Sequence, residues 1–232
     1  HIVVDEAQDL SPMQLRMLGR RSLSASITIV GDIAQATGEW APASWQEVLS
    51  HLPTRRGSRV VELTVNYRTP AEIMDLAGQV LEAAAPGMVV PQSVRATGVQ
   101  PRIMPTDAVS RAGLVAAVTA EEVAIVSAEA TSGGTVGVIC PPSLVGSVGQ
   151  AVRAAQVSFG SVEAGALDDM VTLVPVQAVK GLEFDSVLVV EPARIVAESP
   201  QGLRALYVAM TRATRRLSIL HAEPLPVPFD LS

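Results

Sequence analysis

Two consecutive carboxylates, Asp5 and Glu6, follow the short apolar run Ile2–Val4. A nucleotide-hydrolysing site needs such a pair, because one acid holds hydrated Mg²⁺ and the next orients the attacking water. The same two residues could instead cap a following helix, and their spacing alone leaves both roles open. Asp5 and Glu6 are therefore candidates for magnesium binding and for general-base catalysis.

A second group of residues that could do chemistry lies near the end of the chain. The pattern over residues 201–216 predicts a helix with one apolar stripe, formed by Leu203, Leu206, Tyr207 and Met210. A rotation of about 100° per residue places Arg212 opposite this stripe, so we expect it to face a ligand or solvent. The other arginines of this stretch are interpreted as solvated: Arg204, Arg215 and Arg216.

The elements that must position these residues alternate between strands and helices. Short β-branched runs that end in polar or turn residues predict buried parallel strands at residues 2–4, 27–30, 136–139 and 187–190. Helix starts are predicted where Ser11 precedes Pro12 and where Thr69 precedes Pro70, with the hydroxyl residue as cap. This alternation predicts a doubly wound α/β fold, in which ligands bind at the carboxyl ends of the strands.

The sequence also indicates where the chain divides. A strand-like stretch at 60–65 leads into the predicted helix start at Pro70, which places a domain boundary at about residue 64. Stretches rich in Gly, Pro and Ser at 85–105 and 127–134 predict loops or a shortened connection.

Composition excludes several classes of protein. The chain has 232 residues and 48% hydrophobic content, enough for one large or two small packed domains. No apolar run reaches the roughly 18 residues of a membrane-spanning helix, so no membrane association is expected. The single cysteine, Cys140, and three scattered histidines argue against disulfides and a zinc site. The net charge of −6 is opposite to the basic surface that nucleic-acid binding favours.

Five short motifs occur in order along the chain: DEAQD at 5–9, GDIAQ at 31–35, NYRTP at 66–70, VKGLEFD at 179–185 and YVAMTRAT at 207–214. Together they resemble motifs II to VI of the UvrD/Rep class of superfamily 1 helicases. The resemblance implies RecA-like parallel sheets flanked by helices. Residues 1–64 would be the end of a first RecA-like domain, and residues 65–232 would be a second.

The resemblance also implies that ATP and Mg²⁺ bind between two RecA-like domains. In the first domain, Asp5 would hold Mg²⁺ through water, Glu6 would be the catalytic base, and Gln35 would sense the γ-phosphate. These assignments add specific roles to the carboxylate pair.

The second domain would supply the remaining ATP-site residues. Arg68 and Arg212 would be arginine fingers, a role that suits a guanidinium because it is always charged and binds phosphate oxygens in a fork. Tyr67 would stack on the base, while Gly181 and Glu183 would approach the ribose and the phosphates.

Two positions depart from the DNA-contacting pattern of these helicases. Trp40 occupies the place of a base-stacking aromatic, but the aromatic usually found two residues earlier is Gly38, so a packing role is favoured over DNA stacking. Before VKGLEFD, only Gln177 remains polar among the residues that usually contact the DNA backbone. The ATP-site motifs are kept, whereas the nucleic-acid surface is reduced.

These departures favour one branch of the class. The strings DLSPMQLRML, ELTVNYRTPAEIM and VPVQAVKGLEFDSVLVVEP resemble HelD-type proteins, helicase-like ATPases that bind bacterial RNA polymerase. The interval 68–180 has room only for a RecA-like core, without the large extra domain of UvrD-type helicases. The resemblance implies RNA polymerase as the partner that ATP hydrolysis remodels or releases. The alternative is a UvrD/helicase IV-type helicase or translocase on single-stranded DNA.

One required part of an ATP site does not occur in the sequence. There is no Gly-rich loop ending in Gly-Lys-Ser/Thr, which would cradle the phosphates. The chain also opens on a strand-like run without an initiator Met or a signal peptide. We therefore expect it to lie inside a longer cytoplasmic protein whose upstream part supplies the phosphate loop, and we expect the chain alone to be inactive.

Overall fold

The computed structural model describes residues 1–232 except 25, 54–56, 130–133, 162–168, 228 and 230–232. The chain forms two compact units, His1–Leu63 and Thr64–Ser232. The sequence predicts a division at about residue 64. The assignment of the two units to two RecA-like domains stays a prediction.

The first unit contains a two-stranded parallel sheet in which β1 (Ile2–Val4) pairs with β2 (Ile27–Ile29). Helix α1 (Pro12–Arg21) connects the two strands, and α2 (Trp45–Ser50) follows β2. The cap predicted for α1 is present: the backbone N–H groups of Ser11 and Gln14 each bond the other residue's side chain, with Pro12 in the first helical position.

The second unit contains a six-stranded sheet, a separate pair of two-residue strands and, among its described residues, five α-helices. Its elements in chain order are β3 (Val65–Asn66), α3 (Ala71–Ala84), β4 (Gln92–Ser93), β5 (Arg102–Pro105), α4 (Arg111–Glu129), β6 (Val136–Cys140), α5 (Val145–Ala154), β7 (Gly160–Ser161), β8 (Val171–Pro175), β9 (Phe184–Val190), α6 (Pro192–Glu198), α7 (Gly202–Met210) and β10 (Ala213–His221). The strand order is β5-β10-β9-β6-β8-β7, and all neighbours are parallel.

Helices flank this sheet because its central strands carry apolar residues on both faces. On one face, Val138 of β6 and Leu188 of β9 belong to a buried cluster with Val115 of α4 and Val148 of α5. Residues that alternate with these along the strands, such as Val189, are also fully buried. They point to the opposite face, where α3 and α7 pack on each other and contact β10.

The architecture confirms the predicted α/β fold. The predicted strands at 27–30, 136–139 and 187–190 are present with slightly different ends. None of the described helices is both long and apolar enough to cross a membrane.

The predicted start of α3 is wrong by one residue. The helix begins at Ala71, and Pro70 precedes it without a side-chain cap. Thr69 does not cap α3, because its hydroxyl instead donates to the carbonyl of Thr211, 3.4 Å away in a buried position. A contact between distant parts of the sequence has therefore replaced the local cap.

Three other predictions of local structure also need correction. The predicted strand at 60–65 is reduced to β3. The predicted loop at 85–105 contains β4 and β5, whose pairings with β3 and β10 are long-range. Helix α4 continues to Glu129, inside the predicted loop at 127–134, of which residues 130–133 lie outside the described residues.

Candidate nucleotide site

Asp5 and Glu6 of the first unit lie directly after β1, at the carboxyl end of its small parallel sheet. Both residues are exposed. Glu6 has a φ of 51°, a left-handed conformation that is uncommon outside glycine, and its N–H donates to Oδ1 of Asp5 at 2.9 Å. This sharp turn at the strand end leaves both carboxylates accessible to a ligand.

Gln8 connects Glu6 to the GDIAQ motif. It is 1% exposed. Its Nε2 donates to Oε2 of Glu6 at 2.6 Å, while its Oε1 accepts from the backbone N–H of Asp32 at 3.0 Å. The carboxylate of Asp32 accepts from Nε2 of Gln35 at 2.8 Å and from the N–H of Ala34 at 2.9 Å. The first unit thus joins Glu6 and Gln35 through one chain of hydrogen bonds.

Position 31 requires glycine because a side chain there would collide with Gln8. A Cβ at this position would lie 2.2 Å from Oε1 of Gln8 and 3.1 Å from the backbone nitrogen of Ala7. Ala7 donates its N–H to the carbonyl of Val30 at 3.0 Å, which holds the turn after β1 against the end of β2. A larger residue would push Gln8 away from Asp32.

The sequence alone does not predict a role for Gln8 or Asp32. The available signal was their place inside the DEAQD and GDIAQ motifs, each directly after a predicted strand. Their importance depends on the burial of Gln8 between two strand ends, which a sequence pattern does not display.

In the second unit, Asn66 shapes the turn that presents Tyr67 and Arg68. Its Oδ1 accepts from the backbone N–H groups of Arg68 at 2.8 Å and Thr69 at 3.1 Å. Tyr67 is 75% exposed, so its ring is accessible for stacking on a base. The NYRTP sequence therefore builds its own turn, with the asparagine as the organising residue.

The structure brings Arg68 into contact with Glu183 of the VKGLEFD motif. Nη1 of Arg68 lies 2.6 Å from Oε1 of Glu183, and both side chains are partly exposed. Glu183 follows a turn in which Gly181 has a φ of 77°, a conformation that favours glycine. Three residues that the resemblance assigns to nucleotide binding are therefore close together in this unit.

Helix α7 is shorter than the sequence predicts. It ends at Met210 rather than at residue 216, and β10 begins at Ala213. Thr211 closes the helix, since its hydroxyl lies within hydrogen-bonding distance of the carbonyls of Tyr207 and Val208, at 3.0 and 3.1 Å. Arg212 therefore lies beyond the end of α7, and the prediction that it occupies the outer face of this helix is wrong.

Arg212 lies in the connection between α7 and β10 and is only 5% exposed. Its Nε donates to the carbonyl of Val208 at 3.2 Å, and its Nη1 donates to the carbonyl of Leu182 at 3.5 Å. The expectation that it faces solvent is wrong. Its role at a phosphate stays a prediction.

Two arginines that were interpreted as solvated take part in ion pairs. Nε of Arg216 lies 2.8 Å from Oε2 of the buried Glu122, and its side chain is largely buried. Arg215 pairs with Glu129 at 3.3 Å, and both of those side chains are partly exposed. Both arginines belong to β10, and both of their partners belong to α4.

The two residues considered for DNA contact are both exposed. Trp40 is 64% exposed, so the packing role favoured for it is wrong. Gln177 is exposed on the short 3-10 turn Val176–Ala178 that follows β8. Both side chains are accessible to a partner.

Asp5 suits Mg²⁺ by its chemistry, because this ion prefers carboxylate oxygen and keeps several of its waters. The described part of the chain has no group of three or more His, Cys, Asp or Glu side chains that could hold a metal ion. An ion at Asp5 would therefore take its remaining ligands from water and from substrate phosphates, as Mg²⁺ at nucleotide sites commonly does.

Residues 170–220, from the edge of β8 to β10, match the family model of the UvrD-like helicase C-terminal domain. This span contains Gly181, Glu183 and Arg212. This match confirms the predicted similarity to the C-terminal region of UvrD-type helicases over residues 170–220. The HelD-like branch stays a prediction.

Among individual proteins, the chain is similar to the ATP-dependent DNA helicase UvrD2 of Mycobacterium bovis and Mycobacterium tuberculosis, with 35% identity over 100 residues. This match covers 41% of the chain, which thus spans about 14% of the length of these curated relatives. Among solved structures, it is similar to the C-terminal domain of a possible DNA helicase from Lactobacillus plantarum WCFS1. The TM-score is 0.52 at 20% identity, over 70% of this chain and 91% of that one, which supports the fold alone.

Proposed function

We propose that this chain is the C-terminal motor region of a UvrD-type, helicase-like ATPase, active within a longer polypeptide that supplies the phosphate loop. The observation that carries the proposal is the hydrogen-bond chain from Glu6 through Gln8 and Asp32 to Gln35. The match of residues 170–220 to the UvrD-like C-terminal domain supports it.

The first unit would activate the water that attacks the γ-phosphate. The amide of Gln8 holds one oxygen of Glu6, which leaves the other oxygen to orient the water and accept its proton. Asp32 holds the amide of Gln35, which would sense the γ-phosphate. Asp5 would bind Mg²⁺ through water, and the ion would neutralise charge on the phosphates.

The second unit would stabilise the charge that develops during phosphoryl transfer. Arg68 and Arg212 would contact phosphate oxygens, Tyr67 would stack on the base, and Gly181 and Glu183 would lie near the ribose and phosphates. The guanidinium of Arg212 is already held by two backbone carbonyls, so little freedom is lost when it meets a phosphate.

ATP turnover by the full-length polypeptide tests the role of Glu6. Glu6→Gln should lower kcat by about 10²-fold or more, because the general base is lost while nucleotide contacts remain. Glu39→Gln makes the same chemical change at another exposed position of the first unit and should leave kcat unchanged. Turnover that survives Glu6→Gln would contradict the proposal.

Arg212 is tested by Arg212→Lys in the same assay. Lysine keeps the positive charge but lacks the fork, so kcat should fall by about 10³-fold, toward the loss of an arginine finger. Circular dichroism checks that the buried position still folds. A rate near that of the wild type would remove Arg212 from the site.

The proposed target of this ATPase is core RNA polymerase. The net charge of −6 opposes non-specific binding to DNA. Only Gln177 remains polar among the residues before VKGLEFD that would contact a DNA backbone. The HelD-like strings and the short interval at 68–180 support the same target.

A second candidate function is a DNA helicase or translocase on single-stranded DNA. The exposed ring of Trp40 favours it, because base stacking requires an accessible aromatic face. The name of the similar UvrD2 proteins, ATP-dependent DNA helicase, supports the same alternative.

One comparison separates the two targets: the ATPase rate of the full-length polypeptide with core RNA polymerase and with single-stranded DNA. Co-purification with the polymerase and stimulation by it would support the first. Tight, salt-dependent DNA binding that Trp40→Ala weakens by about 1–3 kcal/mol would instead establish the second.

A further inference from the structure

The turn over residues 181–183 contacts both arginines that the proposed function assigns to phosphates. The carboxylate of Glu183 pairs with Arg68 at 2.6 Å. The backbone carbonyl of the preceding residue, Leu182, accepts a long hydrogen bond from Arg212 at 3.5 Å. One short segment therefore contacts both Arg68 and Arg212.

The backbone on both sides of the Arg68–Glu183 pair is fixed. Beside Glu183, the N–H of the buried Phe184 donates to the carbonyl of Arg212 at 3.0 Å. On the other side, Asn66 holds the N–H of Arg68, and Nη1 of Arg95 donates to the carbonyl of Arg68 at 3.3 Å. The side chains of Arg68 and Glu183 are therefore freer to change conformation than the backbone that carries them.

The exposure of the pair determines how it behaves. The side chain of Arg68 is 55% exposed and that of Glu183 is 41% exposed. An exposed ion pair is weak, because water screens the attraction and both side chains lose freedom when they pair. A triphosphate carries more charge and more acceptor oxygens than one carboxylate, so it can take the guanidinium from Glu183.

We infer that Glu183 is a positioning residue that holds Arg68 in the nucleotide-free protein and releases it to an ATP phosphate; this inference rests on the proposed function. The resemblance implies a different role, in which Glu183 approaches the nucleotide directly. The two roles predict opposite effects of removing its charge. A carboxylate that competes with phosphate for Arg68 weakens nucleotide binding, whereas a carboxylate that contacts the nucleotide strengthens it.

A double-mutant cycle in the full-length polypeptide tests the inference. The probe is adenylyl imidodiphosphate with Mg²⁺, and its Kd is measured by calorimetry. Glu183→Gln should tighten binding by about twofold to fivefold, the factor that corresponds to an exposed ion pair. Glu183→Ala should act in the same direction, and Glu183→Asp, which keeps the charge, should return the Kd toward that of the wild type. In an Arg68→Ala background, Glu183→Gln should have no effect.

Glu82→Gln is the matched control, because Glu82 is exposed on α3 in the same unit. It should leave the Kd unchanged. Weaker binding in Glu183→Gln, or an equal change with and without Arg68, would overturn the inference. The Glu6→Gln assay reports on the proposed function separately. If the full-length polypeptide binds the probe but has no Glu6-dependent turnover, the proposed ATPase function fails, while the double-mutant cycle still measures the coupling between Arg68 and Glu183. Failure of the full-length polypeptide to bind the probe would overturn both the proposed function and the inference on Glu183.

Discussion

At the scale of single residues, Gln8 organises the first unit. Its amide donates to Glu6 and accepts from the backbone of Asp32, two tasks that a carboxylate or a hydrocarbon could not combine. Burial makes both bonds important, because a buried donor or acceptor that loses its partner costs free energy. Gln8 therefore stabilises the unit and also orients Glu6.

Gln8→Met tests both consequences at nearly constant volume. The variant removes the acceptor of the Asp32 N–H, so the free energy of unfolding should fall by about 1–3 kcal/mol. ATP turnover by the full-length polypeptide should fall as well, since Glu6 loses the bond that orients it. Gln46→Met, at an exposed position of α2, is the control for both measurements. Unchanged stability and turnover in Gln8→Met would show that the hydrogen bonds of Gln8 to Glu6 and Asp32 contribute little to either.

The residues of the candidate site illustrate what the sequence could and could not predict. The apolar run before Asp5 and Glu6 predicted that they lie at the carboxyl end of a strand, and the structure places them directly after β1. Arg212 was misplaced because helical periodicity continues only while the helix does, and α7 stops at Met210. Exposure of a side chain depends on contacts between distant segments, and these do not appear in a local pattern.

At the scale of elements, apolar runs predicted β6 and β9 in the middle of the six-stranded sheet, because strands buried on both faces are continuously apolar. The edge strand β5, the short strands β4 and β7 and the inner strands β8 and β10 were missed, and only one residue of β3 lies inside the predicted strand at 60–65. The residues of β4 and β5 carry no strong strand pattern, and pairing with a distant partner gives them their conformation.

Neighbouring glutamates on α4 give a sharp test of burial. Glu122 is fully buried and accepts from Nε of Arg216 at 2.8 Å and from the hydroxyl of Ser186 at 2.9 Å. Glu122→Ala would leave Arg216 without this carboxylate, so the free energy of unfolding should fall by about 3 kcal/mol. Glu121 pairs with Arg102 at the surface, and Glu121→Ala should cost less than about 1 kcal/mol. Urea denaturation measures both, and equal costs would contradict the role of burial.

Glu72 anchors the segment after β4 to the first turn of α3, and this contact should depend on pH. Partial burial raises the pKa of Glu72. Hydrogen bonds from the backbone N–H groups of Glu72 itself, Gly98 and Thr97 lower this pKa, and together they outweigh burial, so the pKa lies below its usual value. A carboxyl whose pKa is lowered by folding stabilises the protein above its unfolded-state pKa and loses this effect as the pH falls through its folded-state pKa.

Glu72→Gln should therefore flatten the decline in the free energy of unfolding as the pH falls below about 4.5. The measurement is urea denaturation at a series of pH values from about 6 to 3. Glu82→Gln, on the same helix, should retain the wild-type profile. An unchanged slope in Glu72→Gln would show that the anchor contributes no pH-dependent stability.

At the scale of the whole molecule, the sequence holds the carboxylate, amide and arginine groups that the proposed function assigns to ATP chemistry, but no Gly-Lys-Ser/Thr phosphate loop. The 232-residue chain alone should therefore show no ATP turnover above that of its Glu6→Gln variant. The full-length polypeptide should show Glu6-dependent turnover in the same phosphate-release assay. Turnover by the isolated chain would require another phosphate cradle.

The position of β10 has a consequence for how the protein is made. Strand β10 lies between β9 and β5, and it is the strand with which β5 pairs. During synthesis, β5 must wait until residues 213–221 have left the ribosome, more than a hundred residues later. Until then, edges of β5 and β9 are open to incorrect pairing and to chaperones. Translation of β10 therefore joins β5 to the rest of the sheet, and a nascent chain that stalls before β10 should be prone to aggregation.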